Sequence, residues 1–189
     1  MIRDADATTG DTGAVAADAP TVLVVMGVSG VGKSTIASAV AGRLGWAFQE
    51  GDDLHSAASI AKMAAGVPLD DDDRWPWLER IADWIRAQQA SGHSGVVTCS
   101  ALKRAYRDRL AGPGVLFVQL DADRALIAER LGARQGHFMS ASLLASQLAT
   151  LEPLAPDEAG VVVSLDGSPE QTAQRVVRQL VGEVDVPRA

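Results

Sequence analysis

The stretch Gly27-Val28-Ser29-Gly30-Val31-Gly32-Lys33-Ser34-Thr35 constrains the fold of this chain more than any other. It follows an apolar run, Thr21 to Met26, of the kind that forms a buried parallel strand. It leads into Ile36 to Leu44, where the apolar positions take a helical period. Strand, glycine loop and Lys-Ser at a helix start complete the phosphate-binding pattern GxxxxGK[ST] in its required context. Gly27, Gly30 and Gly32 remove Cβ atoms where the backbone must curl, and the loop amides and helix N-terminus then face negative charge. Lys33 supplies a mobile cation for the outer phosphates, and the Ser34 hydroxyl stands where it can ligate Mg²⁺.

A length of 189 residues suits one domain with a sizeable core, expected over residues 21–182. The net charge of −7 argues against a general nucleic-acid or membrane-surface binder, leaving only local basic sites. Cys99 is the only cysteine, so no disulfide forms within the chain, which fits a reducing cytoplasm. No apolar run approaches the roughly 18 residues that span a bilayer. Residues 1–20, rich in Ala, Asp, Thr and Gly, read as a disordered tail, and residues 183–189 as a frayed end.

After the first helix, Gly45 to Glu50 reads as a short second strand ending in Gly51-Asp52-Asp53-Leu54-His55. In an open α/β sheet the carboxyl ends of strands face the ligand crevice, so Asp52 and His55 are expected beside the phosphate loop. Asp52 either orients an acceptor hydroxyl as a base, binds Mg²⁺ through water, or caps a helix. Ser56 to Gly66 reads as a short helix closed by Gly66. Four adjacent aspartates, Asp70 to Asp73, repel one another and must be solvated, paired or capping. Asp72 or Asp73 is expected to cap a helix beginning near Trp75, with Pro76 in its first turn. Arg74 either pairs with these aspartates or reaches an anion. Leu78, Ile81, Ala82 and Ile85 give that helix its apolar face.

These residues carry a resemblance. Glu50-Gly51-Asp52-x-Leu54-His55, followed by Ile60-x-Lys62-Met63-x-x-Gly66-x-Pro68-Leu69-x-Asp71-x-Asp73-Arg74-x-Pro76-Trp77-Leu78, resembles the gluconokinase family. That family belongs to the nucleoside-monophosphate-kinase-like branch of P-loop kinases. Its members phosphorylate the terminal hydroxyl of gluconate with ATP. Ser56 and Ser59 depart from its usual Pro and Asn, and Ser59 has the shorter reach toward a sugar.

Gly95 to Ser100 reads as a third strand, followed by Lys103 and Arg107 on one helical face. Spacing alone suggests a solvated face paired with Asp108. The string Cys99-Ser100-Ala101-Leu102-Lys103-x-x-Tyr106-Arg107-Asp108 is again similar to gluconokinases, and implies instead a clamp on the substrate. Cys99 itself reads as a small buried hydrophobe. Val115 to Leu120 is the fourth strand, and Asp121 or Asp123 is expected to cap a helix over 124–131. Arg130-Leu131-x-x-Arg134-x-Gly136-His137-Phe138 resembles the family's lid, about residues 130–142, whose arginines close over ATP phosphates. Leu143, Leu144, Gln147, Leu148 and Leu151 form an amphipathic stretch, Val161 to Asp166 a fifth strand, and the segment from Gly167 a last helix.

Five strands alternating with helices predict a three-layer α/β/α P-loop domain with a parallel sheet and a small lid. The resemblance covers about Thr21 to Val181 and implies the strand order of its kinase branch. It implies MgATP on Gly27 to Thr35, catalysis by Lys33, Asp52, Arg130 and Arg134, and an acceptor site of Asp52, His55, Lys62, Arg74, Lys103, Arg107 and His137. It implies gluconate as the partner and leaves a homodimer open. Another small-molecule kinase of the shikimate type, or a nucleotide-binding regulator without catalysis, remains as an alternative.

Overall fold

The structure, a computed structural model, describes residues 19–122, 127 and 141–181, without the side chains of 141–144 and 181. The tail over 1–18, Asp123, most of the helix expected over 124–131, the lid residues up to 140 and the end over 183–189 lie outside the described residues.

Among the described residues five strands form one parallel sheet in the order β2-β3-β1-β4-β5. They are β1 (Val22–Met26), β2 (Ala47–Gln49), β3 (Gly95–Cys99), β4 (Val115–Asp121) and β5 (Gly160–Ser164). The helices are α1 (Lys33–Leu44), α2 (Ala57–Ala64), α3 (Asp71–Ala90), α4 (Arg104–Leu110), α5 (Ala141–Thr150) and α6 (Pro169–Val181), with a 3₁₀ turn over Gly51–Leu54.

β1 is central, and all five of its residues are fully buried. Its side chains alternate between two cores, which is why the run is apolar throughout rather than alternating in polarity. Leu23 and Val25 pack with Ile36 and Val40 of α1 and Val176 and Leu180 of α6. Val22, Val24 and Met26 pack with Trp77, Leu78 and Ile81 of α3 and Tyr106 and Leu110 of α4. Each such buried aliphatic side chain contributes about 1.5–3 kcal/mol over its exposed state. The carboxyl end of β1 therefore emerges between two fixed layers, and the glycine loop starts there.

The start of α3 corrects the expectation. The helix begins at Asp71 with Asp70 as its N-cap, not near Trp75. Asp70 accepts from the Asp73 N–H at 2.9 Å, and the Asp73 carboxylate accepts from the Asp70 N–H at 3.2 Å. This reciprocal box, with two further acids in the first turn, favours the earlier start through the helix dipole. Pro76 consequently sits inside the helix rather than in its first turn.

α2 begins as expected, capped by Ser56, whose hydroxyl accepts from the Ser59 N–H at 3.0 Å. The Ser59 hydroxyl lies 2.9 Å from that of Ser56, so this side chain is buried against its own helix start. Gly51 explains how the 3₁₀ turn sits so tightly on β3. A Cβ there would lie 1.9 Å from the Thr98 carbonyl oxygen, and its N–H donates to Thr98 Oγ1 at 2.8 Å.

Candidate active site

The loop between β1 and α1 follows from its glycines. Gly27, Gly30 and Gly32 take φ of +139°, +81° and +107°, a region L side chains rarely adopt. Val28 and Val31 between them point into the core, which pins the loop and leaves its main chain to face outward. Gly32 is the N-cap of α1 with no side-chain cap, and no acidic residue occupies the first turn. The helix N-terminus is thus an open anion site. Lys33 Nζ donates to the Val28 carbonyl at 3.1 Å, folded over the loop.

The loop forms one wall of a cavity of about 550 Å³, with Ser29, Gly30, Gly32, Lys33 and Ser34 lining it. The opposite wall carries Asp52, His55, Arg74 and Trp77, and α2 and the turn after it add Ile60, Met63, Val67 and Leu69. Asp52, His55 and Arg74, expected at an acceptor site from the sequence, are therefore brought together facing the phosphate loop.

Packing fixes His55. Its ring stacks on Trp77 with centroids 4.3 Å apart and planes 12° from parallel. Trp77 is held in turn by donating its indole N–H to the Gly51 carbonyl at 2.7 Å. The His55 side chain is 4% exposed, and its Nε2 lies 4.0 Å from Asp52 Oδ1. Burial pushes the His55 pKa below its usual 6.5. Asp52 opposes that shift, while the cations of Arg74 and Arg80 reinforce it. The ring is therefore neutral near pH 7. Its Nδ1 is buried with no hydrogen-bond partner among the described residues. Asp52 is 77% exposed on the cavity side.

The remaining basic residues are engaged elsewhere. Lys62 Nζ contacts both Asp73 oxygens at 2.7 Å. Lys103 Nζ contacts both Asp71 oxygens at 2.8 and 2.7 Å, and the Tyr106 hydroxyl donates to the same carboxylate. These partners hold the Asp71 and Asp73 carboxyls below the usual range and raise both lysines.

Arg107 departs most from the sequence expectation: the structure does not bring it to the cavity. It is 1% exposed and paired with Glu158, which is 6% exposed. Its Nε and Nη2 reach the Glu158 oxygens at 2.5 and 2.8 Å. Nη1 donates to the Ala101 and Glu152 carbonyls at 3.2 and 3.0 Å, and Nη2 to the Pro153 carbonyl at 3.3 Å. All five guanidinium N–H groups are used, so none remains for a substrate carboxylate. Ala101, which it holds, has φ of +41°. The reason for the departure is tertiary. Glu158 is 51 residues away in sequence, and nothing local announces it.

Cys99 is 2% exposed, and burial pushes its thiol up to about 12, so it stays protonated. Arg130, Arg134 and His137 lie outside the described residues. Among the described residues no cluster of three or more His, Cys, Asp or Glu forms a metal site. The donor set for a cation at the loop is the Ser34 hydroxyl, which suits Mg²⁺ held jointly with phosphate oxygens.

Gln147 of α5 has no role assigned by the sequence motifs. Its Oε1 accepts from the Ser29 N–H at 2.7 Å, and it lines the cavity. The signal available was its place at the head of Gln147-Leu148-x-x-Leu151-Glu152-x-Leu154, a string also similar to gluconokinases but naming no role for it.

A parallel sheet whose central strand feeds a glycine loop with Lys-Ser, in a cavity shared with Asp52, His55 and Arg74, marks a P-loop small-molecule kinase. A family model described as an AAA domain matches residues 22–154. The gluconokinase of Gluconobacter oxydans is 51% identical over 166 residues, covering 87% of this chain and 93% of that protein. The unliganded structure of a sugar kinase from a Janibacter species is 51% identical with a TM-score of 0.79, covering 85% of this chain and 94% of that one. A gluconokinase structure from Sinorhizobium meliloti is 44% identical with a TM-score of 0.76, covering 85% and 91%. The chain belongs to the gluconokinase family.

Proposed function

We propose that this protein transfers the γ-phosphoryl group of MgATP to the terminal hydroxyl of gluconate, giving 6-phosphogluconate. The observation that carries the reading is one cavity lined by both the phosphate loop and Asp52, His55 and Arg74. The 51% identity to the Gluconobacter enzyme supports gluconate as the acceptor.

In this reading the Gly27 to Thr35 loop cradles the phosphates through the amides its own contacts leave open, Ser29 N–H being bonded to Gln147 and Gly27 N–H to the Ser100 carbonyl. Ser34 holds Mg²⁺, which neutralises phosphate charge when bound. Lys33 stabilises the charge spread over the transferring group. Asp52 orients the attacking hydroxyl and accepts its proton. His55, neutral and fixed by Trp77, hydrogen-bonds acceptor hydroxyls. Arg74 presents a guanidinium to the acceptor's carboxylate. Lys62 and Lys103 join only by exchanging an internal carboxylate for the substrate's. Arg130 and Arg134 as phosphate-neutralising arginines, and His137 as an acceptor contact, complete the site. The tail, the lid over about 130–142 and the frayed end belong to the same proposal, as do a cytoplasmic setting and a homodimer. Among the described residues no helix is long and apolar enough to cross a membrane.

A coupled assay with ATP, Mg²⁺ and gluconate tests the reading, with 6-phosphogluconate identified as product. Phosphorylation of shikimate with gluconate ignored would transfer the assignment to a shikimate-type kinase. ATP binding without turnover on any sugar acid would point to a non-catalytic regulator.

A further inference from the structure

Gln147 is positioned by elements that the catalytic motifs do not include. The end of α5 is anchored by Leu148 and Leu151 against the core of β1 and α1. The chain after it is tied down by the Glu152 N–H on the Leu102 carbonyl at 2.8 Å and the Leu154 N–H on Gln119 Oε1 at 2.7 Å. From this fixed base Gln147 reaches the phosphate loop, 118 residues away in sequence. The chemistry of that contact sets the orientation of the side chain. Ser29 N–H is a donor, so only the carboxamide oxygen can meet it. The amide is planar, and its NH₂ is bonded to the same carbon. With the oxygen committed to the loop at 2.7 Å, the NH₂ is carried on the other corner of a group that lines the cavity.

We propose that Gln147 is a substrate-contacting residue of the phosphoryl-transfer site, donating its NH₂ to oxygens of the γ-phosphoryl group while its oxygen holds the Ser29 peptide. The requirement for such a donor comes from the rest of the wall. Asp52 faces the loop as an acceptor and offers the incoming phosphate only repulsion when ionised. Lys33 approaches from within the loop. A neutral donor from α5 orients the group between them without adding charge, and it is preorganised because its other end is bonded. The proposal rests on the gluconokinase reading only through the acceptor used in the assay.

Gln147→Glu is the decisive variant. It keeps the reach and an acceptor for Ser29 N–H, but replaces the NH₂ with an anionic oxygen. The expected result is an unchanged melting temperature and ADP affinity within about threefold of the parent. AMP-PNP affinity and kcat should each be lowered on the order of tenfold or more, since only the γ-phosphate has lost its donor. Gln147→Ala should lower AMP-PNP affinity relative to ADP in the same sense. If Gln147→Glu keeps the parent's kcat and AMP-PNP affinity, Gln147 merely supports the loop and the proposal fails. A Gln147→Ala protein that melts earlier with an unchanged AMP-PNP to ADP ratio sinks it equally. If the parent ignores gluconate yet the variants lose AMP-PNP selectively, the acceptor assignment fails and this inference stands.

Discussion

The phosphate loop and the acceptor wall face each other across one cavity, yet they are built on different principles. The loop binds through main-chain amides, and its side chains Val28 and Val31 are spent on the core. Its shape is set within nine consecutive residues by glycines and one helix start. The wall is made of side chains from the 3₁₀ turn and its end, α2 and α3, and its order depends on contacts between elements. His55 depends on Trp77, while Lys62 and Lys103, which do not line the cavity, are held by Asp73 and Asp71. A backbone site tolerates change in its neighbours, whereas a side-chain site inherits every competing ion pair around it. That is why Arg107, alike in charge to the others and on the same helical face as Lys103, is committed to the interior.

The largest effect should come from breaking that commitment. Arg107→Ala leaves Glu158 buried without its cation and should cost about 3–5 kcal/mol, a fall in Tm of roughly 10 °C or more for a domain of this size. Replacing the pair together, Arg107→Met with Glu158→Leu, should recover much of the loss by thermal unfolding. An Arg107→Ala protein of parental stability with gluconate KM raised a hundredfold would return Arg107 to the acceptor wall and erase the contrast.

On the loop side, Lys33→Ala should lower kcat on the order of 10²–10³-fold while leaving the melting temperature nearly unchanged. The lysine acts on developing charge, and its hydrogen bond to the Val28 carbonyl is local to the loop. Near-parental turnover would show that the amide cradle alone supports transfer.

The smallest effect sharpens the wall. His55 has its pKa lowered on folding by burial. The unfolded chain therefore takes up a proton that the folded one resists. The neutral ring's contribution is full above about pH 6.5 and is lost as pH falls below it, with a slope of at most about 1.4 kcal/mol per pH unit. Denaturant melts at pH 7.5, 6.5 and 5.5 should show this loss in the parent and a flatter profile in His55→Gln. Equal slopes would mean that His55 titrates normally. The carboxylates of Asp71, Asp73 and Glu158, all lowered by their cation partners, act in a separate window below their ordinary values of 3.8 and 4.5.

Much of the molecule was legible before any coordinates. The apolar run of β1, the glycine loop and the alternation of strands with helices led to a parallel sheet with the loop at its centre. Asp52 and His55 line the same cavity as the phosphate loop because strand ends in such a sheet share one side. The sequence predicts solvated, paired or capping aspartates, and Asp70, Asp71 and Asp73 are paired or capping, but the cap is Asp70 and not Asp72 or Asp73. Capping geometry depends on where the chain turns into the helix, and four equal candidates hide it. Gln147 and Glu158 carried no motif that named their roles.

The sequence by itself determined the phosphate site, because its parts are contiguous and local sterics plus a helix terminus suffice to shape it. The tertiary structure alone decided which charged side chains face the cavity and which serve the scaffold. That choice is made by partners on other elements, such as Glu158 for Arg107, 51 residues away, and Asp71 for Lys103, 32 residues away. Charge and helical spacing are identical whether an arginine meets a substrate or a buried glutamate. Only the three-dimensional position of the competing acceptor distinguishes the two.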